Sequence, residues 1–454
     1  MKTYFKLICM TLVSISLWAS DSKATQLLKE RSKVLTPKIT QVSKSVYCAT
    51  GFSPANISMI IGVSGILIVD SGMFPAHGEA VLKEFRKITK LPIVGVILTH
   101  GHGDHTGGIK AFTHEKGKKS EVLIYARSPF NTEGQHFQDG GIKENKIRGA
   151  RQGGFLLPPN KRINNGIAPA FYPPKEKNVF LGEHIVPSVN FSEGRHEYNV
   201  AGIKFELVAA PGETSDQLYC WLPEEKVIFT GDNFYRSWPN TYAIRGTHYR
   251  DVKLWIESLT MMIEEKPHHT VPGHTLPLIG VEETTEVLDD YRKAIAFVLD
   301  QSVKGINQGM TPDELVQYVK LPKELAEKDH LREYYGNIEW SVRAIFSGYL
   351  GWFDGNPTTL FSLSPQKEAQ NMARLVGGEE ALSLKAHQAL QNNEAQWCAQ
   401  LSDHLIYLNP ANKKYLLLKA SALDILAEKL ITATGRNYYL TVAQELRVKA
   451  KQLK

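Results

Sequence analysis

Three histidines and an aspartate fall within six positions of this chain, at His100, His102, Asp104 and His105. They follow the apolar run from Ile93 to Leu98 and lead into Gly107-Gly108. Neutral imidazole and carboxylate are the ligand types of a borderline metal such as Zn²⁺. At a turn, His100 and His102 point the same way and can serve one ion, while Asp104 and His105 continue the bend and can serve a second. The donor set suits zinc, iron and manganese alike. Each ion still lacks ligands, which must come from distant sequence.

The elements that would position these side chains can be read from periodicity. Short apolar runs bounded by turn residues predict strands over Ser58–Val63, Gly65–Asp70, Ile93–Thr99, Val122–Ala126, Ile203–Ala210, Gln217–Trp221, Lys226–Thr230 and Thr270–Val271. Helical stretches intervene, notably Gly78–Thr89 and Asp251–Glu264. This density of mixed elements argues for a layered α+β fold with two sheets or one split sheet. Three strands end in a glycine followed by a potential ligand: Pro211-Gly212-Glu213, Gly231-Asp232 and Pro272-Gly273-His274. A site built along one rim of a sheet requires that arrangement. Asp216 is an alternative to Glu213, whereas His268 and His269 precede their strand and are expected to be solvated.

The remainder of the chain bounds the problem. At 454 residues it can bury a large core and make two domains. The net charge of +6 is modest and carries no basic tract with interleaved aromatics, which excludes nucleic acid as the expected partner. Lys2 and Lys6 precede an apolar stretch over residues 7–19, and Ser22-Lys23-Ala24 supplies a small-residue cleavage signal. This reads as a secretory signal peptide over residues 1–24, because the stretch is short of the ~20 apolar residues that a span needs. The expected location is the periplasm or the exterior, with no stable membrane span. Cys48, Cys220 and Cys398 remain, too few and too scattered for a disulfide framework, and are expected to pack as small apolar residues. Residues 128–200 are rich in Gly and Pro pairs and read as a long insertion of loops with a lid role. After residue 281 the pattern is helical only. Thr311-Pro312-Asp313-Glu314 forms a capping box, and two stripes are expected to pack inward: Trp397, Leu401, Leu405 and Leu408, then Leu416, Ala420, Leu423 and Ala427.

His-x-His-x-Asp-His, with the downstream Pro-Gly-Glu-Thr, Gly-Asp and Pro-Gly-His-Thr, resembles the metallo-β-lactamase superfamily over residues 45–280. Most members of that superfamily carry histidine where this chain has Glu213. Glutamate there is a feature of the alkyl sulfatase branch, which the chain also resembles in Asn240-Thr241-Tyr242-Ala243-Ile244-Arg245-Gly246, in Arg250-Asp251 and in the run from Gly348 to Pro357. The resemblance implies an αββα metallo-β-lactamase sandwich over residues 25–280, then an all-α dimerisation domain over residues 281–454, hence a homodimer. It leaves no room for the branch's third, lipid-transfer-like domain. It also implies His100, His102, Glu213 and Asp232 at one metal, and Asp104, His105, Asp232 and His274 at the other. The branch reads Thr-Glu-Ala-Pro-Ala-Glu where this chain has Glu213-Thr214-Ser215-Asp216-Gln217, and bridges its metals with glutamate where this chain has Asp232.

Two Zn²⁺ ions per chain, about 3.5–4 Å apart, can share a hydroxide, because coordination lowers the pKa of water to roughly 7. Asp104 would orient that hydroxide. Arg245 and Arg250 are the donors expected to act on the free oxygens of a sulfate or phosphate ester, since guanidinium binds such oxoanions bidentately. The resemblance adds Asn240 and Tyr242 as substrate neighbours of Arg245, and His248 or Tyr249 could protonate the leaving oxygen. The expected activity is hydrolysis of alkyl sulfates or related small anionic esters. The alternatives are a lactonase, phosphodiesterase or β-lactamase on the same metals, and a non-catalytic metal-binding scaffold. Against the scaffold, structural zinc sites are closed and usually cysteine-rich.

Overall fold

Two β-sheets stack face to face, and each buries its outer side under helices. The computed structural model describes residues 21–115, 121–170, 172 and 185–453. The first sheet has seven strands in chain order: β1 Lys38–Gln41, β2 Val46–Thr50, β3 Ile57–Ile61, β4 Ile66–Val69, β5 Ile93–Ile97, β6 Leu123–Arg127 and β7 Val189–Phe191. β1 to β4 pair antiparallel, and β4 to β7 run parallel. The second sheet comprises β8 Arg195–Val200, β9 Ile203–Ala209, β10 Leu218–Leu222, β11 Val227–Gly231, β12 His269–Pro272 and β13 Leu278–Ile279, side by side in that order.

The alternation of side chains decides the layering. In β4, Leu67 and Val69 face the second sheet and pack with Phe205, Leu207, Cys220 and Phe229. Ile66 and Ile68 face the other way, against Val81 and Phe85 of the helix Pro75–Ile88. A strand buried on both faces must be apolar throughout, which is why this run is so legible in the sequence. The outer face of the second sheet offers Val208, Tyr219, Trp221 and Ile228, which pack with Trp255 and Leu259 of the helix Val252–Glu264.

The same cluster takes in Leu288, Tyr291, Ile295 and Val298 of the helix Val281–Ile306, and Val342 and Ile345 of the helix Ile338–Leu350. The first helices after residue 280 thus complete the sandwich's outer layer. A separate core, with Leu382, Cys398, Leu401, Leu405 and Leu423 at its centre, builds the terminal bundle from the helix Pro365–Val376 onward. Leu416, Ala420, Leu423 and Ala427 point inward as their spacing predicts. Trp397 does not: it is 47% exposed, and Cys398 takes the inward position.

Other expectations need correcting. The segment 128–200 is not a run of loops. It carries the helices Thr132–Asp139 and Glu144–Gln152 and an edge strand of each sheet, β7 and β8, that the pattern does not predict. β8 is a polar edge strand with almost no apolar residues, so it leaves no period-two signature. The apolar stretch over residues 7–19, expected to be part of a signal peptide, lies outside the described residues. Ser22 and Ala24 do not sit in a free linker. Ser22 caps the helix Lys23–Val34, and both its hydroxyl (3.1 Å) and that of Thr25 (2.6 Å) donate to Glu428 of the terminal bundle. The three cysteines are buried and free, as expected.

Candidate metal centre

The candidate ligands converge at one rim, where β4, β5, β11 and β12 end. Asp70, directly after β4, organises the rim. Its carboxylate accepts from the Thr99 N–H and hydroxyl, each at 2.9 Å, and lies 2.7 Å from His105 Nδ1. Since the Thr99 hydroxyl spends its proton on Asp70, it can only accept from His100 Nδ1, 3.1 Å away. His274 Nδ1 donates to the Pro54 carbonyl at 2.6 Å. Three imidazoles are thereby pinned through Nδ1, and each turns its Nε2 inward. Such outer hydrogen bonds are how proteins fix the tautomer of a metal-binding histidine.

The glycines before the ligands have a steric reason. Gly231 takes a left-handed φ of +52°, and a Cβ on Gly273 would come within 2.0 Å of Asp232 Oδ1. Asn233 ties two ligand loops together: its amide oxygen accepts from the Glu213 N–H (3.0 Å) and its amide nitrogen donates to the Ala210 carbonyl (2.8 Å).

Two groups of ligand atoms result, one from His100, His102, Glu213 and Asp232, the other from Asp104, His105 and His274, with atoms inside each group no more than 4.8 Å apart. Glu213 Oε2 lies 3.1 Å from His102 Nδ1 and 3.4 Å from His100 Nε2. Asp232 reaches both groups: Oδ1 is 3.2 Å from His105 Nε2, and Oδ2 is 3.1 Å from His274 Nε2 and 3.9 Å from His100 Nε2. All seven residues predicted as ligands are therefore together.

These residues fit metal ions. His105 Nε2, Glu213 Oε2 and Asp232 Oδ1 are buried and make no hydrogen bond. A polar atom buried without a partner costs about 1–3 kcal/mol, more when charged, and a cation in each of the two groups would remove that cost. Burial works against the charged form of His102, but Glu213 and Glu133 outweigh it and raise its pKa to about 10. His100 is held well below the ordinary value by burial and by its histidine neighbours, so it is neutral.

The expected substrate residues are placed unequally. Arg245 is at the centre's edge, with NH2 3.3 Å from His102 Nε2 and NH1 2.9 Å from Glu133. Arg250 is fully buried and pairs with Glu213, and its NH1 also donates to the Asn240 carbonyl at 2.6 Å. Burial opposes its charge, but Glu213 and Glu133 hold its pKa above the usual arginine value. Arg250 is thus a partner of a ligand, committed on the protein side. Asn240 is buried and donates its N–H to the Tyr235 hydroxyl at 2.7 Å, and Tyr242 is half-buried nearby. His248 and Tyr249 are exposed on the wall of a cavity of about 160 Å³ behind Glu213 and Arg250. The His248 ring packs on His136, 4.3 Å between centroids. Asp216 is spent on the Asn131 N–H (2.7 Å) and the Thr214 hydroxyl (2.6 Å), whereas Glu213 joins the candidate ligand group. His268 is exposed, and His269 opens β12 and accepts from the Gly280 N–H at 3.1 Å.

Sequence reasoning missed Asp70, Asn233, Glu133 and Gln152. Gln152 accepts from the Arg245 N–H at 3.1 Å, and Asn437 of the terminal bundle donates to the Gln152 carbonyl at 3.2 Å. Only Asp70 carried a signal, an acidic residue closing an apolar strand. The others meet the site through tertiary packing alone.

Residues 50–274 match the metallo-beta-lactamase superfamily, and residues 311–449 match the alkyl sulfatase dimerisation family. A linear primary-alkylsulfatase of Pseudomonas sp. (strain ATCC 19151) is 34% identical over 399 residues, which cover 86% of this chain and 73% of that protein. The chain belongs to the alkyl sulfatase branch of the metallo-β-lactamase superfamily. An (R)-specific secondary-alkylsulfatase of Pseudomonas sp. is 29% identical over 90% of this alkyl sulfatase family member and 62% of its own length. The stereoselective inverting sec-alkylsulfatase Pisa1 from Pseudomonas sp. superposes with a TM-score of 0.85 at 27% identity, covering 94% of this chain and 69% of that one. The chain thus spans about two thirds of the length of these relatives. Both expected parts of the fold, the αββα sandwich and the helical domain after it, are those of the branch.

Proposed function

We propose that this protein is a dinuclear zinc hydrolase of alkyl sulfate esters. The observation that carries the reading is the pair of ligand groups spanned by Asp232, with the Arg245 guanidinium at their edge. The likeness to linear and secondary alkylsulfatases supports the substrate class. Bound there, the ions would supply a water nucleophile at neutral pH, by lowering its pKa from about 15.7 to roughly 7.

The chain's own residues do the rest. His100, His102 and Glu213 would hold one ion and Asp104, His105 and His274 the other, with Asp232 within reach of both. Arg245 takes the free sulfate oxygens in charge-assisted hydrogen bonds, with Asn240 and Tyr242 beside it. Arg250 pairs with Glu213 from behind and holds its carboxylate in place. Asp104, the most exposed of the candidate ligands with 28% of its side chain accessible, is the one open to substrate and would orient the water nucleophile. His248, on the cavity wall beside Glu213, is a candidate to protonate the leaving oxygen.

The chain acts as a homodimer. Trp352 and Phe361, 75% and 95% exposed, give the helical part the apolar surface that a second copy would cover. Sedimentation of the full chain is expected at the mass of two copies, and a monomer at assay concentration would contradict this. The protein is exported through a cleaved signal peptide over residues 1–24, the charged start, short apolar stretch and small-residue exit supporting that reading.

The test is a panel of linear alkyl sulfates, phosphate diesters and lactones. Release of inorganic sulfate from the alkyl sulfates, at rates far above turnover of the other two classes, is the expected result. Preference for neutral lactones or diesters would replace the sulfatase reading with another hydrolase on the same centre.

A further inference from the structure

Of the four histidines, His102 is the one turned around. His100, His105 and His274 present Nε2 and are pinned through Nδ1, whereas His102 presents Nδ1 to His100 (3.0 Å) and Glu213 (3.1 Å). Its outer nitrogen, Nε2, faces two groups from elsewhere in the chain: Arg245 NH2 at 3.3 Å and Glu133 Oε1 at 3.5 Å. Glu133 belongs to the helix Thr132–Asp139 of the insertion and is only 8% exposed. The same Oε1 is 2.9 Å from Arg245 NH1, and Oε2 accepts from the Thr247 hydroxyl at 2.7 Å.

We propose that Glu133 is a positioning residue, which sets the His102 tautomer for metal binding and holds Arg245 for the substrate oxoanion. The argument is one of donors and acceptors, and it rests on the metal centre proposed above. An imidazole whose Nδ1 lone pair is committed to a cation carries its proton on Nε2. Guanidinium has no acceptor, so Arg245 cannot receive that proton's hydrogen bond. Among the described residues, the Glu133 carboxylate is the acceptor in reach. Once Nε2–H turns to Glu133, Arg245 NH2 loses its present partner and is released toward the substrate, while NH1 stays anchored on Glu133. One carboxylate thus couples a metal ligand to the group that binds the ester.

The test reads metal affinity without substrate, by competition of Zn²⁺ with a chromogenic chelator. Glu133→Gln and Glu133→Ala are each expected to weaken one of about two Zn²⁺ equivalents by about 10–100-fold and spare the other, the range found when outer-shell partners are removed. KM for a linear alkyl sulfate should also rise, and Glu133→Asp should restore part of both losses. In the wild-type holoprotein, ¹⁵N imidazole spectra should show His102 metallated at Nδ1 and protonated at Nε2, a readout that needs no variant to fold. Wild-type zinc affinity in both folded variants, or His102 metallated through Nε2, overturns the proposal. A wild-type protein that binds zinc as described yet releases no sulfate would sink the sulfatase reading alone.

Discussion

Asp232→Asn is expected to abolish metal binding at both positions and activity with it. No other ligand serves both groups: Asp232 lies within 3.2 Å of His105, 3.1 Å of His274 and 3.9 Å of His100. Burial opposes its charge, but His274 and His105 outweigh it and hold the carboxyl well below the ordinary range, so the oxygens are available as anionic ligands. An amide has almost the same shape and cannot supply that charge. The expected loss in kcat/KM is on the order of 10³ or more, about 4 kcal/mol of transition-state stabilisation. Asparagine separates chemistry from folding, since removing one partner of a buried charge cluster with alanine costs about 3–5 kcal/mol of stability. Elemental analysis beside sulfate release is the measurement. A folded Asp232→Asn protein that keeps both ions would show that Asp232 bridges nothing.

Arg245→Ala is expected to act on the substrate and leave the metals in place. The guanidinium ligates no ion, and in the proposed arrangement Glu133, not Arg245, accepts the hydrogen bond from His102 Nε2–H. Two charge-assisted hydrogen bonds to sulfate oxygens, at about 1.5–3 kcal/mol each, predict a loss of roughly 10²–10⁴-fold in kcat/KM for alkyl sulfates. Lysine should recover little, because it offers a point charge where a planar fork is needed. Any turnover of a neutral lactone should be almost unaffected. Equal losses on anionic and neutral esters would mean that Arg245 supports the centre's architecture and does not recognise sulfate.

The sequence showed most of the centre because ligands at a rim obey local rules. His100 to His105 follow a doubly buried strand, and Glu213, Asp232 and His274 each follow a glycine at a strand end. The glycines at 231 and 273 are demanded by φ and by the closeness of Asp232, so the pattern and the geometry have one cause. What was hidden depends on contacts between distant segments. Glu133 sits in Thr-Glu-Gly-Gln-His-Phe-Gln-Asp, where nothing in the spacing sets it apart from a solvated acid. Arg250 resembles Arg245 in type and position, yet only the fold shows that one is spent on Glu213 and the other is poised at the edge. β8 escaped notice because an edge strand needs no apolar face, and Trp397 misled because the neighbouring cysteine fills the core.

The central claim is a two-metal centre that performs the hydrolysis, and the direct measurement is metal content titrated against activity in the purified wild-type protein. About two zinc equivalents per chain are predicted, with sulfate release lost on chelation and regained as the second equivalent is restored. A folded, metal-free protein that still releases sulfate from an alkyl ester at the holoprotein's rate would contradict it.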